Sequence, residues 1–270
     1  LSVDNIVLPI TRIAVPIFFM ITGALLLGRE ESIYEILKKR VSRIVIVLLV
    51  FSALATWAKG FQGIPVDWKT FGVKMLAGTV LTEYWFFYAY ISFLFMLPYL
   101  RRIVNGFKER DFLYFLFFHF CVASLLPIVN YVLIATEQEP IVLAASLKFP
   151  LAIEKMIFYP IIGYYLDRTT QVSRIRCKQW IVLICLSVFG IWAEAAITIH
   201  QGITTGTFSQ SYLSLFDYIL AIGVFIVVKY LFECKGLWEK NTFLQKSIST
   251  IGGLTLGIYI FDPIRGILKY

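Results

Sequence analysis

Charge, cysteine and histidine are all scarce in this chain of 270 residues. Only 16% of the residues are charged, where soluble globular domains carry about 25%. So few charges cannot cover a water-exposed surface, which excludes an ordinary soluble domain. The four cysteines (Cys121, Cys177, Cys185 and Cys234) form no C-x-x-C pair and no Cys/His ligand spacing, which excludes a disulfide framework and a metal site. The two histidines, His119 and His200, belong to no H-E-x-x-H motif. No Ser/His/Asp set and no phosphate-cradling glycine loop is visible. The common hydrolase, metalloprotease and nucleotide-binding chemistries therefore have no motif here.

What the chain has in abundance is apolar surface: 59% hydrophobic and 17% aromatic residues, with a mean hydropathy of +0.78. The expectation is an all-α, polytopic transmembrane helical bundle. Arg12 to Leu27, RIAVPIFFMITGALLL, is apolar after its first residue; sixteen residues of helix cover about 24 Å, close to a bilayer core. Eight spans can be drawn, at 9–28, 41–58, 84–100, 112–134, 145–166, 179–199, 212–232 and 247–268. Backbone polar groups in hydrocarbon must pair within their own segment, so these are helices. No repeat or linker interrupts them, and residues 1–270 read as one integral-membrane domain. The chain opens at Leu1 rather than methionine, and reads as a fragment that lacks an upstream helix.

The net charge of +8 is a topology signal rather than a nucleic-acid signal, and no nucleic-acid partner is expected. The basic residues gather in alternate loops: Arg29, Lys38, Lys39, Arg40 and Arg43; Arg101, Arg102, Lys108 and Arg110; Arg168, Arg174, Arg176 and Lys178; Lys229, Lys235, Lys240 and Lys246. Residues 135–144 carry only Glu137 and Glu139. The basic loops should share the cytoplasmic face of the inner (plasma) membrane. Residues 60–83 are too polar to span and read as an outward loop with an amphipathic piece around Trp68 to Leu76.

Charges inside apolar runs are costly and worth tracing. Glu154 and Lys155 lie near the middle of the fifth span, lining a polar path or pairing with neighbouring helices, while Lys148 can snorkel outward. Glu194, His200 and Asp217 read as solvated helix ends. His119 reads as a packed, hydrogen-bonded residue rather than a general base. Lys38-Lys39-Arg40 and Arg43 lead directly into a helix. They serve either as an anionic-lipid anchor or as a cradle for a phosphorylated donor such as coenzyme A. Arg12 either binds a polar acceptor or snorkels.

Five stretches in order, RIAVPIFFMITGALLL (12–27), LKKRVSRIVIVLLVFS (37–52), EYWFFYAYISFLFMLPYLRR (83–102), IIGYYLDR (161–168) and LGIYIFDPI (256–264), resemble the membrane-bound acyltransferase family 3, in its surface-polysaccharide O-acetyltransferase branch. The resemblance implies an enzyme that moves an acetyl group from cytoplasmic acetyl-coenzyme A to a sugar hydroxyl of a polysaccharide or lipid-linked sugar. Acetyl-coenzyme A is then a donor substrate, with no bound cofactor. The family's arginine-histidine signature falls in a helix ahead of Arg12, so the catalytic histidine is expected upstream of Leu1. By position, Arg12 matches the arginine before the VPxFF stretch, and Thr22-Gly23 its Ser-Gly. Arg40 and Arg43 match the basic pair, Trp85 and Tyr88 the WFxY stretch, and Tyr259 the tyrosine of the last motif. Asp262 stands where histidine is frequent, and the helix after Arg43 lacks the usual proline. The donor is thus expected at Lys39, Arg40 and Arg43. The acceptor is expected among Arg12, Trp85, Tyr88, Glu154, Lys155, Tyr259 and Asp262. The alternative is a non-enzymatic polysaccharide exporter or flippase, in which Glu154 and Lys155 line the path.

Overall fold

The computed structural model describes residues 12–61, 68–78, 80–144, 155–204 and 214–233, with positions 242–243, 245–247, 249–250, 254, 257, 259–261 and 264. Every regular element among the described residues is helical. The α-helices of seven or more residues are, in order, α1 (Ala14–Leu26), α2 (Ser42–Phe61), α3 (Phe71–Ala77), α4 (Trp85–Gly106), α5 (Glu109–Phe120), α6 (Leu126–Ala135), α7 (Lys155–Thr169), α8 (Cys177–Thr204) and α9 (Ser214–Glu233). Four continuous stretches, Ile33–Phe61, Glu109–Ala135, Cys177–Gln201 and Leu215–Glu233, are long and apolar enough to cross a bilayer. Together with the shorter apolar helices they make an all-α polytopic membrane protein.

Two of these long stretches are not uniform α-helix. Ile36–Val41 and Cys121–Leu125 are wound as π turns, which re-aim the side chains on either side and are frequent at functional sites. The first follows a capping box. The Ser32 hydroxyl accepts from the Glu35 N–H at 3.2 Å, and the Glu35 carboxylate accepts from the Ser32 N–H at 3.1 Å. The helix therefore starts well before the apolar run does.

The chain divides into two compact units, residues 1–29 with 101–236 and residues 30–100 with 237–270. In the first, α1 and α7 meet at backbone level. A Cβ on Gly23 would lie 2.0 Å from the Pro160 carbonyl oxygen, and one on Gly163 would lie 2.0 Å from that of Met20. Further on, Gly28 meets Tyr164 and Arg168, so residues 20–28 run beside 160–168 and the two helices are parallel. Apolar side chains gain little by leaving lipid, so close approach through small residues holds such a pair. α8 and α9 are antiparallel: Trp180 packs on Tyr230 with ring centroids 4.8 Å apart, and Phe189 faces Phe216.

The charged ends of this unit gather at one pole. Arg101 Nε donates to the Leu26 carbonyl at 2.9 Å, the Tyr164 hydroxyl donates to Asn105 Oδ1 at 3.4 Å, and Lys229 Nζ donates to Asp167 Oδ1 at 3.1 Å. At the other pole Arg12 meets Glu194, and the Tyr131 hydroxyl lies 2.6 Å from His200 Nδ1. Arg101, Arg168 and Lys229 come from three of the loops expected on one side of the membrane, and they share one end of the unit, as segregation of basic loops requires.

The second unit is built around Leu48, Ala55 and Ala58 of α2, Met75 of α3, and Tyr84, Phe87, Ile260 and Ile264. In α3, within the stretch expected as an amphipathic piece, Met75 is buried while Val73 and Leu76 are exposed. Its connection is tied down by polar contacts. Lys59 Nζ donates to the Val80 carbonyl at 2.9 Å, and the Tyr88 hydroxyl lies within reach of the Met75 and Gly78 carbonyls, at 2.9 and 3.1 Å.

Candidate functional site

The basic turn at the head of α2 is the first candidate. Arg40 lies in the π turn and makes a two-pronged ion pair with Glu31, Nη2 to Oε1 at 2.6 Å and Nε to Oε2 at 3.2 Å. Tyr90 is near enough to interact with its charge. Lys39 pairs with Glu35 at 3.0 Å and keeps a side chain 71% exposed. Arg43 is exposed. The turn thus presents one anchored guanidinium, one solvated guanidinium and one loosely held ammonium. A fork of fixed donors suits a phosphate, and the flexible lysine adds a point charge. Glu31 is a competitor that the sequence reading did not weigh.

The aromatic residues expected at the acceptor come together in the same unit. The Tyr259 hydroxyl donates to the Glu83 carbonyl, and its ring packs edge-on against Phe86 and Phe87. The neighbouring Tyr84 hydroxyl donates to the Ile260 carbonyl at 3.1 Å. Tyr88 is occupied by its two carbonyls, and Trp85 is half-exposed. These rings tie the start of α4 to the segment around Tyr259. Glu154, Asp262 and the side chain of Lys155 lie outside the described residues, as do Lys148 and Cys234.

A third group, in the first unit, was largely missed. Glu194 is fully buried, with Arg12 Nη1 3.8 Å from its Oε2. It is therefore no solvated helix end, and Arg12 turns inward instead of snorkelling. Asp217 is close enough to couple to Glu194. Tyr159 reaches both carboxylates electrostatically and hydrogen-bonds Tyr218. The Tyr218 hydroxyl in turn lies 3.0 Å from His119 Nε2. His119 is buried and stacks on Phe158 with centroids 3.5 Å apart, the packed residue that the sequence suggested. A polar chain therefore runs from Arg12, just ahead of α1, through α8, α9 and α7 to His119 on α5. The signal for it was a carboxylate inside the run CLSVFGIWAEAAITI (185–199), which in hydrocarbon demands a partner.

Among the described residues no group of His, Cys, Asp and Glu is arranged to hold a metal ion. Cys121, Cys177 and Cys185 are free thiols.

The family model described as an acyltransferase domain, that of acyltransferase family 3, matches residues 2–267. No curated protein and no solved structure matches the chain. With almost every residue inside that match, the chain belongs to this acyltransferase family.

Proposed function

We propose that this membrane acyltransferase moves an acetyl group from acetyl-coenzyme A to a sugar hydroxyl of a surface polysaccharide or lipid-linked sugar. The acceptor oxygen bonds the acetyl carbonyl carbon while the thioester C–S bond breaks. The hydroxyl proton passes through a general base to the leaving thiolate, giving an ester and a free thiol. Such a base works best with a pKa near neutrality. His119 is enclosed between Phe158 and Tyr218 and is not assigned that role.

The observation that carries the donor half of this reading is the basic π turn at the head of α2. Arg40 is held rigid by Glu31 and Arg43 is left open to a second anion one helical turn away. Donor phosphates at the cytoplasmic head of a spanning helix would place the thioester toward the membrane. The aromatic residues gathered around Glu83 and Tyr259, the half-exposed Trp85 among them, supply ring faces of the kind that sugars pack on.

The test is donor affinity. The double change Arg40→Gln with Arg43→Gln, measured as acetyl-coenzyme A binding to the purified full chain in detergent, is expected to weaken binding by about tenfold or more at unchanged protein abundance. Undiminished affinity would overturn the assignment of donor phosphates to this turn.

A further inference from the structure

An apolar groove runs between α5, α7 and α9 in the first unit, with a volume of about 360 Å³. Leu113, Leu116, Phe117, Ile162 and Leu166 form most of its walls, and its inner end is closed by Phe158 and Tyr218, the rings that enclose His119. Tyr165 also lines a second recess of about 230 Å³ at the charged pole. That recess holds Asn105, Glu109, Arg168 and Thr169. The apolar space and the smaller, more polar one thus share Tyr165 as a common wall.

The two charges of the recess are placed with opposite signs and kept apart. Arg168 lies flat against Tyr164, its guanidinium carbon 4.4 Å from the ring centroid, which fixes it in place. Its neighbour Asp167 is taken by Lys229 at 3.1 Å and does not neutralise it. Glu109 opens α5, while the nearby Asp111 accepts from the Lys108 N–H at 2.8 Å. Among the described residues neither Arg168 nor Glu109 forms an ion pair, with each other or with a third group. Helix dipoles account for an acid in a first turn and a base in a last turn. They do not account for both facing one recess at the mouth of an apolar groove.

We propose that the groove and recess form a lipid site for a glycerophospholipid with a phosphoethanolamine head: phosphate on Arg168, ammonium on Glu109, and one acyl chain in the groove. The recess supplies one charge of each sign, which complements a zwitterionic head better than an anionic one. A quaternary choline head offers Glu109 no N–H donor and a bulkier cation. The chain end of the lipid would lie against Phe158 and Tyr218, so occupancy supports the packing of His119. This site is independent of the acyl-transfer reading.

The experiment is lipid retention by the purified full chain, delipidated and then offered equal amounts of phosphatidylethanolamine, phosphatidylcholine and phosphatidylglycerol with the same acyl chains. Native mass spectrometry counts what stays bound. The ethanolamine lipid is expected to be enriched about tenfold over each of the others. Glu109→Gln should remove its advantage over phosphatidylglycerol without weakening the latter. Arg168→Gln should reduce retention of both, and Leu116→Trp, which fills the groove, should reduce all three. Both charged positions are exposed, so melting temperature serves as the check that these variants fold. Equal retention of the three lipids, a preference for phosphatidylglycerol, or an ethanolamine preference that survives Glu109→Gln would overturn the proposal.

Discussion

Replacing Gly163 with alanine tests the α1–α7 pairing on which the first unit depends. The new methyl would sit 2.0 Å from the Met20 carbonyl oxygen, whereas ordinary contact begins near 3.4 Å. The obstructing atom is backbone, so no rotamer change relieves it, and the helices must part by about 1.4 Å, the difference of those distances. A gap of even 0.5–1 Å forfeits about a quarter to a half of each van der Waals contact across it. α1 buries Pro16, Phe19, Met20 and Leu26, so the loss falls on large side chains. Overpacking typically costs about 1–3 kcal/mol, and a backbone clash belongs at the upper end. Alanine returns about 1 kcal/mol through its better helix propensity, leaving a net loss of about 2 kcal/mol. On the scale of soluble domains that is a fall of about 4–8 °C in melting temperature, measurable by tryptophan fluorescence in detergent. Gly23→Ala should behave alike, because its methyl would meet the Pro160 carbonyl oxygen at the same distance. Gly106→Ala is the control: nothing lies within 4 Å of its Cβ position, and it should melt at or slightly above the parent. A Gly163→Ala chain that melts with the parent would refute the close parallel crossing.

The buried polar chain yields two more predictions. Arg12→Leu leaves Glu194 without its guanidinium and should cost about 3 kcal/mol, whereas the double change Arg12→Leu with Glu194→Leu should cost much less; strictly additive losses in a double-mutant cycle of melting temperatures would refute the pairing. Tyr218→Phe keeps the ring against Phe158 but removes the hydroxyl at His119 Nε2, and should lower stability by about 1–2 kcal/mol, read by the same melting assay; no loss would show that this hydrogen bond contributes nothing.

How much of this was legible in the sequence differs between hydropathy and partnership. The described parts of the first seven expected spans are helical, because apolar composition alone forces the backbone to satisfy itself; residues 145–154 of the fifth and most of the eighth, at 247–268, lie outside the described residues. Helix ends were less legible: Ile33–Phe61 begins eight residues before its expected span at 41, since the capping box at Ser32 and the π turn sit in a polar, basic stretch that a hydropathy reading treats as loop. The loop charges predicted which ends meet, and Arg101, Arg168 and Lys229 do share a pole. Partners across helices were not legible. Gly23 and Gly163 read as small residues in apolar runs, and only their mutual register with Pro160 and Met20 shows that they set the distance between two helices.

Glu194 makes the same point for the candidate site. Read along the chain it is ten residues before the end of α8, near enough to solvent to look harmless; read across the bundle it is fully buried beside Arg12, with Asp217 within electrostatic reach. Two neighbouring carboxylates in a dry interior, with a guanidinium beside only Glu194, are expensive unless the surrounding groups share the charge. The chain of hydroxyls and imidazole from Tyr159 through Tyr218 to His119 supplies them. Such a network is costly to assemble and costly to break, so it fixes the relative positions of α1, α5, α7, α8 and α9 more strictly than apolar packing in lipid does. The residue that the family resemblance pointed to as an acceptor ligand, Arg12, is thereby also the residue whose loss would loosen the bundle. Measurements of acyl transfer on an Arg12 variant therefore carry meaning only beside its melting temperature. The paired Arg12→Leu, Glu194→Leu chain, with the ion pair removed as a whole, is the background in which an effect on acceptor binding can be separated from an effect on the fold.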